Sequence, residues 1–280
     1  MPPSQAQPRR AVWRMLGRWV LMVALVYTGL LALLWWKQEW LIFRPRTLAP
    51  DAQLKLAPDV HEAWVEVDGA RLHALHLRLP KPDGVVFSLH GNGGAVVDWF
   101  SLPDVYRRAN LDLFMIDYRG YGKSSGRIVS EAQLMNDMRL AWRSIAARYA
   151  GQRVVFMGSS LGSGLAAALA AEVQPDLTLL VSPYLSMQAL AAEQYPWVPG
   201  ALLRYPLRTD SGLPLIRGGL TLIHGERDTL IAADHSRALH QIRPDSRMFI
   251  VQGAGHNDLR RFPAYVDALQ SALGWPAAGR

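Results

Sequence analysis

Three residues that together make an alcohol nucleophilic occur along this chain in the order Ser160, Asp228, His256. Ser160 stands in Gly158-Ser159-Ser160-Leu161-Gly162, directly behind the apolar run Val154-Val155-Phe156-Met157 and ahead of a small-residue helical pattern from Leu165 to Val173. A serine on so tight a strand-to-helix turn needs glycine on either side, where a side chain would strike the neighbouring backbone. The turn lifts the hydroxyl to the top of a sheet and sets it at a helix N-terminus, whose free N–H groups stabilise an oxyanion. Because a serine is a poor nucleophile at neutral pH, the chemistry also needs a base, a group that orients the base, and donors for the developing charge.

Each of these falls just after an apolar, strand-like run. Leu220-Thr221-Leu222-Ile223 leads into His224-Gly225-Glu226-Arg227-Asp228, and Met248-Phe249-Ile250-Val251 leads into Gln252-Gly253-Ala254-Gly255-His256. Of the carboxylates between Ser160 and His256, only Glu226 and Asp228 lie in a turn immediately beyond such a run. The shorter Asp228, deeper in the turn, is predicted to fix the tautomer of His256, which takes the serine proton. Val85 to Leu89 leads into His90-Gly91-Asn92-Gly93-Gly94, a turn whose glycines let backbone N–H groups face a ligand. The amides of Leu161 and Asn92 are the predicted oxyanion donors, and Gly91, Gly93, Ser159 and Tyr184 are expected to line the substrate site. Asp258 is expected to cap the helix that follows it.

Rival readings fail on particular residues. A second match to the serine pattern, Gly122-Lys123-Ser124-Ser125-Gly126, follows the polar turn Asp117-Tyr118-Arg119-Gly120-Tyr121 and leads to no immediate helix, so Ser124 reads as loop. Gly162-Ser163-Gly164-Leu165-Ala166-Ala167 fits a dinucleotide fingerprint, but Val181, Ser182 and Pro183 stand where a ribose-binding acid belongs. Gly122-Lys123-Ser124 suggests a phosphate loop, yet Asp117 replaces its first glycine. His73 and His76 are three apart in a predicted strand, hence on opposite faces, and no zinc spacing occurs. No metal and no cofactor are implied.

The elements that must position these residues alternate. Strands are predicted near 85–89, 112–116, 153–157, 177–181, 219–223 and 247–251, and helices near 99–108, 130–149, 161–173, 232–242 and 259–273. Ser130-Glu131-Ala132-Gln133 is a capping box that opens the second helix. Trp64 to Val67 and Arg71 to Leu79 flank Asp68-Gly69 as a hairpin. The pattern predicts an α/β fold, a mainly parallel, doubly wound sheet with an antiparallel N-terminal edge and ligands at the strands' carboxyl ends. Tyr184 to Gly218 is long enough only for a minimal lid, with an apolar rim of Tyr195, Trp197, Leu202, Leu203 and Tyr205 expected to edge an acyl pocket facing a membrane.

The chain has 280 residues, half of them hydrophobic, enough for one large core plus an extra segment. That segment is N-terminal: Trp19 to Trp36 carry no charge, and as a helix they span about 27 Å, enough for one tilted transmembrane helix. Trp13 and Trp19 at one end and Trp35, Trp36 and Trp40 at the other suit aromatic belts. The stretch exceeds a signal-peptide apolar region and lacks a small-x-small cleavage site, so it reads as an uncleaved anchor. Arg9, Arg10, Arg14 and Arg18 precede it against Lys37, Arg44 and Arg46 after it, predicting a cytoplasmic N-terminus. In a bacterial inner membrane the catalytic part then faces the periplasm. The expected organisation is a basic N-terminus at 1–18, the anchor at 19–43, a proline-bearing linker at 44–62 and the α/β domain at 63–280.

Residues 1–46 hold seven Lys or Arg and one Glu, so six of the chain's seven net positive charges sit at the anchor. The remainder carries no nucleic-acid footprint. Zero cysteines exclude a disulfide scaffold and thiolate metal sites. The expected partners are a small-molecule or lipid-like acyl substrate and a membrane through the N-terminal helix, with no prediction of oligomeric state.

Taken together, His90-Gly91-Asn92-Gly93, Asp117 to Gly126, Gly158 to Gly162, Ser182-Pro183-Tyr184, His224-Gly225 with Asp228, and Gly255-His256 resemble the single-span α/β-hydrolases labelled serine-aminopeptidase-like. The resemblance covers about residues 18–275. It implies the α/β-hydrolase fold, the triad Ser160, Asp228 and His256, and a structural role near the site for Asp117 to Gly126. The family includes esterases, lipases and protein deacylases, so the fold does not choose the substrate. Two further readings stay open: a serine peptidase on the same triad, and a catalytically silent module that binds partners.

Overall fold

Alternating side chains along the central strands sort themselves onto two sheet faces, and helices cover both. In the computed structural model, which describes residues 7–274 (side chains from residue 12), Val85 and Phe87 join one buried cluster while Val86 between them joins the other. Because both faces are covered, the central strands read as continuous apolar runs.

The described residues begin with α1 (Gln7–Trp36), break at Lys37, and continue through α2 (Gln38–Ile42) into the two-residue strand β1 (Arg44–Pro45). A hairpin follows, β2 (Val60–Val67) and β3 (Ala70–Leu77), turning at Asp68-Gly69 as predicted. Next come β4 (Gly84–Leu89), the short β5 (Gly93–Gly94), α3 (Val96–Trp99), α4 (Pro103–Arg108) and β6 (Leu111–Ile116). Then α5 (Glu131–Ala146), β7 (Arg153–Ser159), α6 (Leu161–Val173) and β8 (Leu177–Val181) alternate. The segment beyond holds α7 (Met187–Gln194) and α8 (Thr209–Gly212), and β9 (Gly219–Gly225), α9 (Asp234–Ile242), β10 (Arg247–Val251) and α10 (Pro263–Leu273) complete the chain.

Eight strands form one sheet in the order β10-β9-β8-β7-β4-β6-β3-β2, parallel except where β3 meets β2 and β6. This is the α/β-hydrolase arrangement with its antiparallel N-terminal edge. α5 and α6 pack Leu134, Met138, Trp142 and Leu165 onto one face, and α4 and α10 pack Tyr106, Tyr265 and Leu269 onto the other. The Ser130 hydroxyl accepts from the Gln133 amide at 3.1 Å, and the Gln133 side chain reaches back to the Val129 amide at 3.0 Å, so the α5 cap forms one residue wider than the predicted box.

Three boundaries move. The helix expected at 99–108 is two short helices, because Leu102 takes a left-handed φ of 56° and Pro103 restarts the chain. The strand that opens the sheet begins at Val60, inside the expected linker. The apolar helix ends at Trp36 rather than reaching 43, and Phe43 is buried in the core of the domain. The stretch from Val12 to Trp36, 25 residues, is long and apolar enough to cross a membrane, and its side chains, Trp13, Trp19 and Trp36 among them, lie open. The side chains of Arg9 and Arg10, on which half of the predicted basic flank rests, lie outside the described residues.

The segment 184–218 leans on the N-terminal helices α1 and α2. The Tyr27 hydroxyl donates to the Trp197 carbonyl at 2.8 Å, and Gln38 bridges the Leu202 carbonyl and the Arg204 amide at 2.6 and 2.8 Å. Arg204 pairs with Glu39 at 2.8 Å, and Tyr205, expected on an apolar rim, is fully buried with its ring edge against Phe43.

Candidate active site

Ser160 sits between β7 and α6 with φ 50° and ψ −119°, a sparsely populated conformation that costs a non-glycine residue roughly 1–3 kcal/mol. The surroundings hold it there. Its amide donates to the Val181 carbonyl at 2.8 Å, and its carbonyl accepts from the Ser163 amide and hydroxyl at 2.8 and 2.7 Å. A Cβ on Gly162 would fall 2.2 Å from the Leu89 carbonyl oxygen and one on Gly158 would fall 2.4 Å from that of Gly162, so both flanking positions admit only glycine.

The structure brings the predicted partners together from the ends of three strands. His256 Nε2 lies 3.1 Å from Ser160 Oγ, and His256 Nδ1 lies 2.6 Å from Asp228 Oδ2. A carboxylate accepting at Nδ1 leaves Nε2 free to take the hydroxyl proton. Asp228 is itself held by the Leu230 and Ile231 amides, which donate to Oδ1 at 2.9 and 2.8 Å. His224, one turn earlier, stands 3.3 Å from the same carboxylate, with Nδ1 2.7 Å from the Ser236 hydroxyl. Burial pushes the Asp228 carboxyl up, but the hydrogen bonds with His224, His256 and the Ile231 amide outweigh it and hold it well below the ordinary aspartate range.

The turn predicted to receive the oxyanion is fixed from two sides. Leu161 opens α6, so its N–H has no carbonyl of its own helix to bond. Asn92 lines the cleft, and its carbonyl accepts from the Arg44 amide at 2.9 Å and the Tyr121 hydroxyl at 2.7 Å. β1 and β5 pair in parallel, Arg44 with Gly93 and Pro45 with Gly94, and Arg46 clasps Asp98 through two contacts of 2.8 and 2.9 Å. The chain leaving the apolar helix is thus sewn to the turn. From below, Asp117 accepts from the Val96 amide at 2.7 Å and the Tyr118 hydroxyl donates to the His90 carbonyl at 2.7 Å. Asp117 to Gly126 is a supporting loop near the site, as the resemblance implied.

The cleft at the strand ends holds about 300 Å³ and is lined by Ser159, Ser160 and His256, by Asn92 and Gly93, and by Trp99, Ser182, Leu230 and Arg260 among others. Ser159 and Gly93 therefore stand where expected. Gly91 does not line it: it is buried beneath Trp99, where a Cβ would lie 2.5 Å from the indole and 3.4 Å from Ser160 Cβ. Tyr184 is also misplaced by the sequence reading. It is fully buried under the nucleophile turn, its hydroxyl donating to the Leu161 carbonyl at 2.9 Å. Ser182, with φ 46°, turns the chain away from the rim and sends Tyr184 inward. Asp258 caps no helix with its side chain; Oδ1 accepts from the Gly255 amide at 2.7 Å and closes the loop that carries His256. None of the apolar residues expected on the rim of the 184–218 segment lines the cleft.

Sequence reasoning gave no individual role at the site to His224, Tyr121, Arg44, Ser182 and Arg260. His224-Gly225 directly before the acid turn was the one local signal available for the first; the others act through neighbours far away in sequence. The arrangement as a whole can activate an alcohol, hold the resulting imidazolium, and receive an oxyanion at two amides.

Comparisons with known proteins bear on the fold. The sequence profile described as serine aminopeptidase, S33 matches residues 80–209. An uncharacterized protein of Mycobacterium tuberculosis is 30% identical over 250 residues, covering 85% of this chain and 87% of that protein. The human alpha/beta hydrolase domain-containing protein 17B is 29% identical over 211 residues, covering 72% and 70%. Among solved structures, an esterase from Pyrococcus furiosus superposes with a TM-score of 0.64 at 17% identity, over 83% of this chain and 98% of that one. A thioesterase domain from the curacin biosynthetic pathway gives 0.55 at 16% identity, over 76% and 97%. With the strand order, the serine turn and these relatives in agreement, the chain belongs to the α/β-hydrolase family.

Proposed function

We propose that this protein is a membrane-anchored serine hydrolase that cleaves an acyl ester or thioester through an acyl-enzyme intermediate. The observation that carries the reading is the continuous contact from Asp228 through His256 to Ser160, at 2.6 and 3.1 Å, from three separate strand ends. Ser160 Oγ attacks the acyl carbonyl carbon as its proton passes to His256 Nε2, and the oxyanion rests on the Leu161 and Asn92 amides. Collapse expels the alcohol or thiol, which leaves with the proton from His256; water then repeats the steps and frees the acid. The esterase and thioesterase folds among its structural neighbours support this reading.

The peptidase reading has less support. An aminopeptidase holds a free, cationic amine, yet the one acidic side chain lining the cleft, Asp98, is already clasped by Arg46. The exposed apolar stretch Val12–Trp36 supports a single-span anchor that keeps the cleft close to the bilayer, with the domain on the periplasmic side of a bacterial inner membrane. Because the chain has no cysteine, a single Gln53→Cys variant reports the side: labelling in intact cells by a membrane-impermeant maleimide is expected, and protection until lysis would reverse the orientation.

For the chemistry, fluorophosphonate labelling of wild type and Ser160→Ala is the direct test, followed by hydrolysis of acyl esters from two to sixteen carbons. A Ser160-dependent adduct and ester turnover are expected. A wild-type protein that forms no adduct would instead be the silent binding module.

A further inference from the structure

The cleft contains a charge that the proposed chemistry does not use. The Arg260 guanidinium lies 4.4 Å over the Trp99 ring, and its Nη1 stands 3.4 Å from both the Trp99 carbonyl and the Ser101 hydroxyl. Those contacts are at the long end of hydrogen bonding and leave most of its five donors uncommitted. Other arginines behave differently: Arg46, Arg107, Arg119, Arg204 and Arg243 each clasp a carboxylate at 2.6–2.8 Å. Among the described residues no carboxylate pairs with Arg260, and Asp98 in the same cleft is taken by Arg46.

A second observation concerns Ser182. It is 4% exposed, lines the same cleft as Ser160 and His256, and its hydroxyl has no hydrogen-bond partner among the described residues. Buried hydroxyls normally find partners. Its backbone is held in the left-handed region at φ 46°, with its amide donating to the Ile223 carbonyl at 2.8 Å. A partnerless hydroxyl on one wall and an unpaired guanidinium on another make a cleft fitted to an oxygen-rich, negatively charged ligand. Val181, Leu230 and Leu259 supply apolar surface between.

We propose that Arg260 is the specificity residue of this site, and that the substrate is an ester bearing a second, anionic oxyacid group, a carboxylate or a phosphate, that pairs with its guanidinium. The inference deepens the hydrolase reading and rests on it. Planar guanidinium suits either oxyacid through two parallel hydrogen bonds, and the Trp99 face holds the plane without neutralising it. The Ser182 hydroxyl donates to a further oxygen of the same ligand. A cationic amine is repelled, which is a second reason that peptide amino-termini fit poorly.

The test pairs each anionic ester with the neutral ester that lacks only the anionic group. Mono-p-nitrophenyl glutarate against p-nitrophenyl butyrate places a carboxylate on the acyl side; butyrylglycerol phosphate against butyrylglycerol places a phosphate on the alcohol side. Wild type is expected to favour one anionic member of these pairs by about tenfold or more in kcat/KM, chiefly through KM, and more strongly at low salt. In Arg260→Gln that ratio falls toward one, and Arg260→Lys restores part of it; a merely structural arginine would shift both members of a pair alike. Calorimetric binding of the same four esters to Ser160→Ala and to Ser160→Ala with Arg260→Gln reads the preference without turnover. Equal treatment of charged and neutral esters in both measurements overturns the assignment while leaving a Ser160-dependent esterase intact. If no ester is turned over but the calorimetric preference persists, it is the hydrolase reading that fails.

Discussion

Two serines in this chain stand between glycines at one spacing, Ser160 within Gly158–Gly162 and Ser124 within Gly122–Gly126, and both are nearly buried. The hydroxyl of Ser124 is saturated by backbone: it accepts from the His73 amide at 2.8 Å and donates to the Asp117 carbonyl at 3.1 Å. The hydroxyl of Ser160 meets an imidazole and an open cleft. Their glycines differ in the same way. Gly122 and Gly126 take φ of 51° and 77°, which turn a loop, and Gly122 also lies close beneath the Asp117 carboxylate, whereas Gly158 and Gly162 serve the close approach of neighbouring backbone. The letters record local steric need; whether a serine can react depends on what its hydroxyl is bonded to.

Exchanging the two serines for alanine sharpens the contrast most. Ser160→Ala is expected to lower kcat by about 10⁶-fold without loss of fold, since a triad without its nucleophile retains only binding and oxyanion effects. Ser124→Ala should leave kcat largely intact and instead lower unfolding free energy by about 1–3 kcal/mol, because the buried His73 amide loses its acceptor. Denaturant titration beside ester assays checks both; a matching loss of kcat in the two variants would break the distinction. Asp228→Asn comes next, with about 10⁴-fold lost from kcat as the imidazole is held in the wrong tautomer. Tyr121→Phe removes one of the two donors on the Asn92 carbonyl. It should cost about tenfold in kcat with KM little changed, short of the 10²–10³ lost with an oxyanion donor itself.

The smallest effect is on acid stability. Burial pushes the carboxyls of Asp117 and Asp228 up, but hydrogen bonds from His73 and His90 on one and His224 and His256 on the other bring both below the ordinary aspartate range. Such groups add stability above an unfolded pKa of about 3.9 that is lost as pH falls through their depressed native values. Denaturant midpoints should therefore decline below about pH 4, and Asp117→Asn should flatten that decline. A wild-type midpoint that stays constant down to about pH 2 would contradict the electrostatic account of both loops.

Much of the site was readable because its parts sit at strand ends, where an apolar run followed by a glycine-bearing turn marks the place. Ser160, Asp228 and His256 each carry that signature in order. Arg260 and Ser182 carry none: one is defined by the absence of a carboxylate, the other by the absence of a hydrogen-bond partner, and neither absence is written in local spacing. Tyr184 misled because the strand before it ends normally, while the reversal at Ser182 depends on backbone conformation alone. The prolines at 45, 50 and 58 suggested a free linker, but proline tolerates a sheet edge, and Pro45 pairs with Gly94 while Val60 begins β2. The fold followed from alternation; the seams between its parts did not.

The knitting of Arg44 and Arg46 into the turn that holds Asn92 has a practical corollary. Shortening the protein just after its apolar helix would remove the support of one wall of the cleft beside Ser160. The residues that leave the apolar helix are the same ones that brace Asn92 and Asp98, so a preparation that trims them is expected to loosen that turn.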